Sequence, residues 1–293
     1  MNAGPGCDQA PIVCAVDDRY VTPLCVLMQS LSVAHPGRSL QVIVMHQGLS
    51  GASQRRIRWH ADRLGLDADL RLAPGVDPRY PVSLWVSSAA NLRLALPEVV
   101  PDAPVVLYLD VDLLVLRDLG TLLAQRLDGV PLAAVRDPLN PTLDTGFAMP
   151  GWPALGLAGS REYFNSGVLL LNLAECRRRE IFEKSTRFAR EKSEHLLFCD
   201  QDAMNWAVDD DWRRLDRCWN TLALSGLRGH ETYKNWTYSA NHILPFSQLI
   251  DDEDAAAILH YAGPVKPWRS EYPASPHKDL YLSFMTTIEE HER

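Results

Sequence analysis

The sequence predicts an α/β fold, a mixed and mostly parallel sheet flanked by helices, on two observations. Near its start, short β-rich apolar runs alternate with longer amphipathic stretches, which is the order strand, helix, strand expected of such a fold. Farther on, Val105–Leu109 is apolar without polar alternation, as in a strand covered on both faces of a parallel sheet.

Taken in order, Ile12–Val16 reads as a strand, Thr22–Ala34 as a helix, Leu40–Met45 as a strand, Ser53–Leu64 as a helix and Asp69–Leu72 as a strand. In the second helix Ile57, Ala61 and Leu64 recur at helical spacing, while Arg55, Arg56, Arg58 and Arg63 fill other faces. That basic cluster therefore reads as a solvated face. Further strands are expected at Leu132–Val135 and Val168–Leu171. A helical stretch is expected over Asn172–Lys192, with Leu173, Cys176, Ile181, Phe182 and Phe188 as its inner stripe. Asp137–Glu162 and Thr221–Pro245 show no period, and long segments of that kind inside a compact domain are usually functional loops. They are expected to flank the site. A weak helical pattern around Leu280–Ile288 closes the chain.

Hydrophobic content of 46% and charged content of 23% over 293 residues are those of an ordinary globular chain with room for a large core. The net charge of -8, with no dense Lys/Arg block, argues against nucleic acid or an anionic bilayer as partners. Six cysteines without C-x-x-C spacing are expected to be buried free thiols. No basic, apolar leader is visible at the start, and no apolar run reaches the roughly 18 residues of a transmembrane span. A cytoplasmic location follows as the expectation, and the triplet Asn235-Trp236-Thr237 is then an accidental glycosylation sequon. The acidic ending Glu289-Glu290-His291-Glu292-Arg293 weakens a peripheral membrane role and leaves it open.

The chemistry centres on Asp110-Val111-Asp112, directly after the buried strand. At i, i+2 in extended backbone both carboxylates face one side, and their repulsion would be removed by a divalent cation, magnesium or manganese rather than zinc. A ligand bearing a diphosphate would complete the coordination. The competing structural reading has both acids capping the following turn. An EF-hand fails, because Leu114 and Val115 stand where its further ligands belong. Asp209-Asp210-Asp211 repeats the spacing in what reads as a solvated turn.

Several segments, in family order from residue 12 to 268, resemble the family 8 glycosyltransferases, retaining enzymes that include glycogenin and bacterial lipooligosaccharide galactosyltransferases. They are Ile12–Tyr20, Asn91-Leu92-Arg93, Leu107–Asp112, Tyr163–Leu173, Asp200–Asn205 and His260–Trp268. The resemblance implies a GT-A type, Rossmann-like fold, with a single catalytic domain over 1–270 and a short C-terminal extension over 271–293. It implies Asp110, Asp112 and His260 as ligands of Mn2+ (or Mg2+), and a UDP-sugar donor held by Ala15, Asp17, Arg93, Asp110, Val111, Asp112, Asp137, Asn165, Gly263 and Lys266. Asp200 and Gln201 are implied as the catalytic pair beside the sugar. The implied reaction moves a hexose, glucose or galactose, to a carbohydrate, lipid-linked glycan or other hydroxyl acceptor. Arg19 departs from the amide-bearing residue of several bacterial relatives, which puts direct ribose contact there in doubt.

Read singly, these residues have plainer explanations: His260 as a core histidine, Lys266 on the surface, Asp17 as a cap, Arg93 and Asn165 in an ion pair or turn, and Asp200 capping a helix from Gln201. Two functional alternatives stand beside the transferase: a nucleotide-sugar binder without turnover, and a sugar nucleotidyltransferase, whose Gly-rich loop is missing from Ala15–Tyr20. A dinucleotide oxidoreductase is the least favoured reading, because no G-x-G-x-x-G follows a strand.

Overall fold

The computed structural model describes residues 10–74, 90–227 and 246–293. Strands β1 (Ile12–Ala15), β2 (Gln41–His46), β3 (Asp67–Leu72) and β4 (Val105–Leu109) lie parallel in the order β3-β2-β1-β4. The sheet continues through β7 (Phe164–Asn172), β6 (Leu132–Arg136) and β8 (Arg213–Arg214). Of these, β7 runs antiparallel to both neighbours. A second, three-stranded sheet joins β5 (Leu113–Val115), β10 (Ile258–His260) and β9 (Thr221–Leu222).

Alternation along the strands divides the core in two. Ile12, Cys14, Leu107, Leu109, Val168 and Leu170 belong to one buried cluster. Val13, Val106, Tyr108, Leu169 and Leu171 belong to another, so the sheet is covered on both faces, as the apolar run Val105–Leu109 predicts. Helix α1 (Val21–Ala34) packs on α2 (Gly51–Leu64), β5 and the C-terminal helix α9 (Pro276–Glu292). Those several neighbours account for its being apolar on most faces. α2 starts on Ser50, whose side chain accepts from the Ser53 amide, and stops at Gly65 in a left-handed turn with φ 68°. Arg55, Arg58 and Arg63 are exposed as predicted. Arg56 departs from the solvated-face reading by pairing with Glu292 at 2.6 Å, tying α2 to the end of α9.

Two elements differ from expectation. β7 begins four residues earlier than the apolar pattern indicates, because Asn165, Ser166 and Gly167 are held by pairing and local hydrogen bonds rather than by hydrophobic burial. The helical stretch after it divides into α5 (Leu173–Arg178) and α6 (Ile181–Glu191) at Glu180, which takes φ 55°. The predicted inner stripe is nonetheless buried throughout. The remaining α-helices among the described residues are α3 (Leu96–Val99), α4 (Gly120–Leu123), α7 (Asp200–Val208) and α8 (Phe246–Asp254).

Of the two aperiodic segments, 137–162 is a hydrogen-bonded loop. Asn140 accepts from the Phe147 and Ala148 amides, and Asp202 accepts from that of Met149. The other opens with β9, and its residues 228–245, the sequon among them, lie outside the described residues. Among the described cysteines, Cys14, Cys25, Cys176 and Cys199 are buried free thiols as expected, whereas Cys218 is half-buried; Cys7 falls outside. No helix among the described residues is long and apolar enough to cross a membrane.

Candidate active site

Strand ends bring the site together. β1 ends at Ala15 and β4 at Leu109, directly before Asp110, on one edge of the sheet, and antiparallel β7 enters that edge with Asn165, Ser166 and Gly167. The Asp110 amide donates to the Gly167 carbonyl at 2.9 Å, and Asp137 follows the end of β6. His260 arrives from the small sheet, where it pairs with Leu113 of β5. That register sets the imidazole beside Asp112: Nε2 is 3.4 Å from Asp112 Oδ1, and the Tyr261 amide donates to the Asp112 carbonyl at 3.0 Å. One ligand atom from each of Asp110, Asp112 and His260 lies within 4.8 Å of the others. Two carboxylates and an imidazole on one small space could hold a divalent cation of manganese or magnesium type.

The acids are not left to repel each other, which corrects the electrostatic reasoning made from the sequence alone. Arg93, nearly fully buried, donates from one terminal nitrogen to Asp110 Oδ1 at 2.8 Å and from the other to the Ser166 carbonyl. Its Nε stands 2.8 Å from Asp200 Oδ2 as an ion pair without hydrogen-bond alignment, and its guanidinium lies over the Tyr108 ring at 4.6 Å. Lys266 donates to Asp112 Oδ2 and, at 2.9 Å, to the Tyr261 carbonyl. Burial pushes Asp112 upward, but the Lys266 ammonium and the His260 imidazole outweigh it and hold that carboxyl well below the usual range. Asp200 goes the other way: burial, opposed by Arg93 and reinforced by Asp110, pushes its carboxyl up to about 6.

Gln201 sits on the first turn of α7 and reaches β7, its amide oxygen accepting from the Ser166 amide at 2.8 Å and its Nε2 donating to the Tyr163 hydroxyl at 3.1 Å. Asp200 itself opens α7, which starts one residue earlier than the capping alternative requires. Asp137 accepts from the Leu139 and Asn140 amides and from Asn165 Nδ2. Gly263 has φ 91°, a conformation that favours glycine. Beyond it, Trp268 and Tyr261 pack on Tyr281 of α9 with ring centroids at 5.3 and 5.2 Å, so the C-terminal helix buttresses the Lys266 loop. Val111 is buried between the two acids. Asp17 lies farther out, capping a 3-10 turn and accepting from Arg19 Nη2 at 2.7 Å, an ion pair that occupies the residue already in doubt for ribose contact.

Two residues, Asn220 and Gly167, escaped the sequence reading, and Asp202 of the Asp200–Asn205 segment, counted there among the acids that favour turnover, has a different part. Asp202 is fully buried by the Tyr163 hydroxyl and the Met149, Leu197 and Phe198 amides, which makes it a structural acid rather than one facing the site. Asn220 bonds His260, and Gly167 lies against the His260 ring. No periodicity marks Asn220; its one signal is a polar side chain directly before the two-residue strand β9, Thr221–Leu222. A Cβ on Gly167 would stand 2.3 Å from His260 Cε1. Gly167→Ala is expected to turn the imidazole out of line and to cost about 1–3 kcal/mol by overpacking, checked by denaturant melts and by the ring position in a crystal of the variant. Asp209-Asp210-Asp211 is the exposed turn expected, held to Arg161, Arg214 and Arg179.

The family model of glycosyl transferase family 8 matches residues 11–272. General stress protein A of Bacillus subtilis (strain 168) is 26% identical over 289 residues, covering 94% of this chain and 92% of that protein. Among solved structures, an active-site mutant of LgtC superposes with a TM-score of 0.75 at 26% identity, covering 94% of this chain and 95% of the other. The galactosyltransferase LgtC in complex with donor and acceptor sugar analogues follows with a TM-score of 0.73 and the same identity and coverage. Lipopolysaccharide 1,2-glucosyltransferase of Escherichia coli (strain K12) is 28% identical over 179 residues, which is 60% of this chain and 48% of that enzyme.

Proposed function

The chain belongs to glycosyl transferase family 8, and from that premise we propose that it moves a hexose from a UDP-sugar to an acceptor hydroxyl, keeping the donor's α configuration, with Mn2+ or Mg2+ on Asp110, Asp112 and His260. The observation that carries this reading is the convergence of those three side chains within 4.8 Å, beside Lys266. Their mixed carboxylate and imidazole set fits manganese. When bound, the cation supplies Lewis-acid neutralisation of the leaving diphosphate.

Within this reading, Lys266 gives its ammonium to the same diphosphate, releasing Asp112 to the cation. Gly263 lets the backbone approach the phosphates, Val111 lines the path between the acids, and Ala15 and Asp17 face the uridine. Arg93, Asp137 and Asn165 hold the sugar. Asp200 and Gln201 stand on the side where positive charge grows as the glycosidic bond breaks. The acceptor is a carbohydrate, a lipid-linked glycan or another hydroxyl compound, and the acceptor sugar analogue in the LgtC complex supports the first of these. Residues 1–270 serve as the catalytic unit with 271–293 as its extension, working in the cytoplasm.

The test is UDP release from UDP-glucose and UDP-galactose with and without MnCl2, together with thermal stabilisation by the same panel. Manganese-dependent release supports the proposal; neither release nor stabilisation by any member would sink it. Lys266→Ala is expected to weaken UDP binding by about 10- to 100-fold, the loss of a charge-assisted contact, with the fold retained. Calorimetric titration of UDP in the presence of Mn2+ measures it, and an unchanged affinity would return Lys266 to a purely structural pairing with Asp112.

A further inference from the structure

We propose that Asn220 is a positioning residue that sets the tautomer of His260 and couples it to the sugar side of the site. The inference rests on the reading that Asp110, Asp112 and His260 hold a divalent cation. Asn220, 2% exposed, ends the 3-10 turn before β9 and faces His260, itself 3% exposed. Its amide oxygen is 2.9 Å from His260 Nδ1, and its Nδ2 is 2.9 Å from Asn165 Oδ1.

Which way each amide points follows from the groups at the far end of the chain. The Gly167 amide is a donor only and gives to Asn165 Oδ1 at 3.0 Å, which turns Asn165 Nδ2 to the Asp137 carboxylate, 3.2 Å away. Asn165 therefore has one orientation. Its oxygen, already an acceptor, requires the nitrogen of Asn220, which turns the Asn220 oxygen to His260. An oxygen there requires the proton on Nδ1. With Nδ1 committed to that bond, Nε2, the nitrogen that faces Asp112, is the one available to a cation.

Hydrogen bonding to the distal imidazole nitrogen orients a ligating histidine, and its loss typically costs 10- to 100-fold in metal affinity. Here the partner is an amide whose other end holds Asn165, so the position of the cation's nitrogen ligand and that of a sugar-facing amide are set by one buried chain, Asp137–Asn165–Asn220–His260.

The experiment titrates MnCl2 into the full chain without nucleotide, reading free Mn2+ by electron paramagnetic resonance, for the native protein, Asn220→Ala, Asn220→Asp and Asp112→Asn. Asn220→Ala is expected to lose about 10- to 100-fold in Mn2+ affinity. Asn220→Asp, still an acceptor for Nδ1–H, recovers most of that affinity, but it no longer donates to Asn165 and raises KM for the UDP-sugar more than it lowers kcat. Native Mn2+ affinity in Asn220→Ala, alongside a loss in Asp112→Asn, overturns the proposal. Native affinity in Asp112→Asn overturns instead the cation reading beneath it. Should Asn220→Ala show no cooperative melt, the isosteric Asn220→Asp decides alone: Mn2+ binding kept with a raised KM supports the coupling, and native values of both overturn it.

Discussion

Asp112→Asn is expected to lower metal-dependent turnover at least about 100-fold, the scale of a lost transition-state electrostatic contact. The substitution keeps side-chain volume, and Lys266 retains the Tyr261 carbonyl as an acceptor, so the protein should fold. Its stability should still fall at neutral pH. The native carboxyl is held below its ordinary range despite burial, by Lys266 and His260. A depressed acid contributes stability above its unfolded value and loses it as pH falls through the folded one. Without added metal, the variant should therefore melt below the native protein at pH 7, with the gap closing in strong acid. Turnover assays with and without MnCl2 and a melting series across pH check both parts; near-native turnover would remove Asp112 from the chemistry.

Asp200→Asn should divide the same two properties differently. Turnover is again expected to fall by about 100-fold or more, because the carboxylate proposed to stand on the sugar side is gone. Stability should rise. Burial, only partly offset by Arg93, pushes the Asp200 carboxyl up to about 6, so the folded state is penalised for ionising it. For a raised acid the penalty is absent below the unfolded value near 4, grows between about pH 4 and 6, and is complete above. The neutral amide avoids it, giving the variant up to about 3 kcal/mol at pH 7 and little advantage at pH 4. Melting without added metal at both pH values is the measurement. A variant that melts below the native protein at pH 7 would mean that the Arg93 pairing outweighs desolvation, and that Asp200 is there for stability. Opposite stability shifts from two isosteric Asp→Asn changes in one site would separate a well-paired acid from one kept under strain for function.

Arg93 explains why the two acids differ. It bridges Asp110 and Asp200 from a buried position over Tyr108, and burial works against its charge while both carboxylates restore it. Asp112 shares the Lys266 ammonium only with a neutral carbonyl among the described residues, whereas Asp200 shares a guanidinium that hydrogen-bonds a second carboxylate, Asp110, and the Ser166 carbonyl. Charge alone would treat the acids alike; the direction of each N–H does not.

By itself the sequence determined what repeats at short range. The apolar run at Val105–Leu109, the helical spacing of Ile57, Ala61 and Leu64, and the same-side placement of Asp110 and Asp112 are local periodicities, written in side chains a few residues apart, and the structure keeps all of them. Order along the chain also brought His260 and Lys266 into the candidate set through family resemblance. Only the tertiary structure decided what depends on partners far along the chain. The length and antiparallel direction of β7 rest on pairing with β4 and β6. The neutralisation of Asp110 by Arg93 and of Asp112 by Lys266, the structural role of Asp202, and the chain from Asp137 through Asn220 to His260 are of the same kind. The physical reason is that a hydrogen bond or ion pair is set by distance and direction in space, and no period in the sequence encodes a contact between two strands that meet only once the sheets have formed.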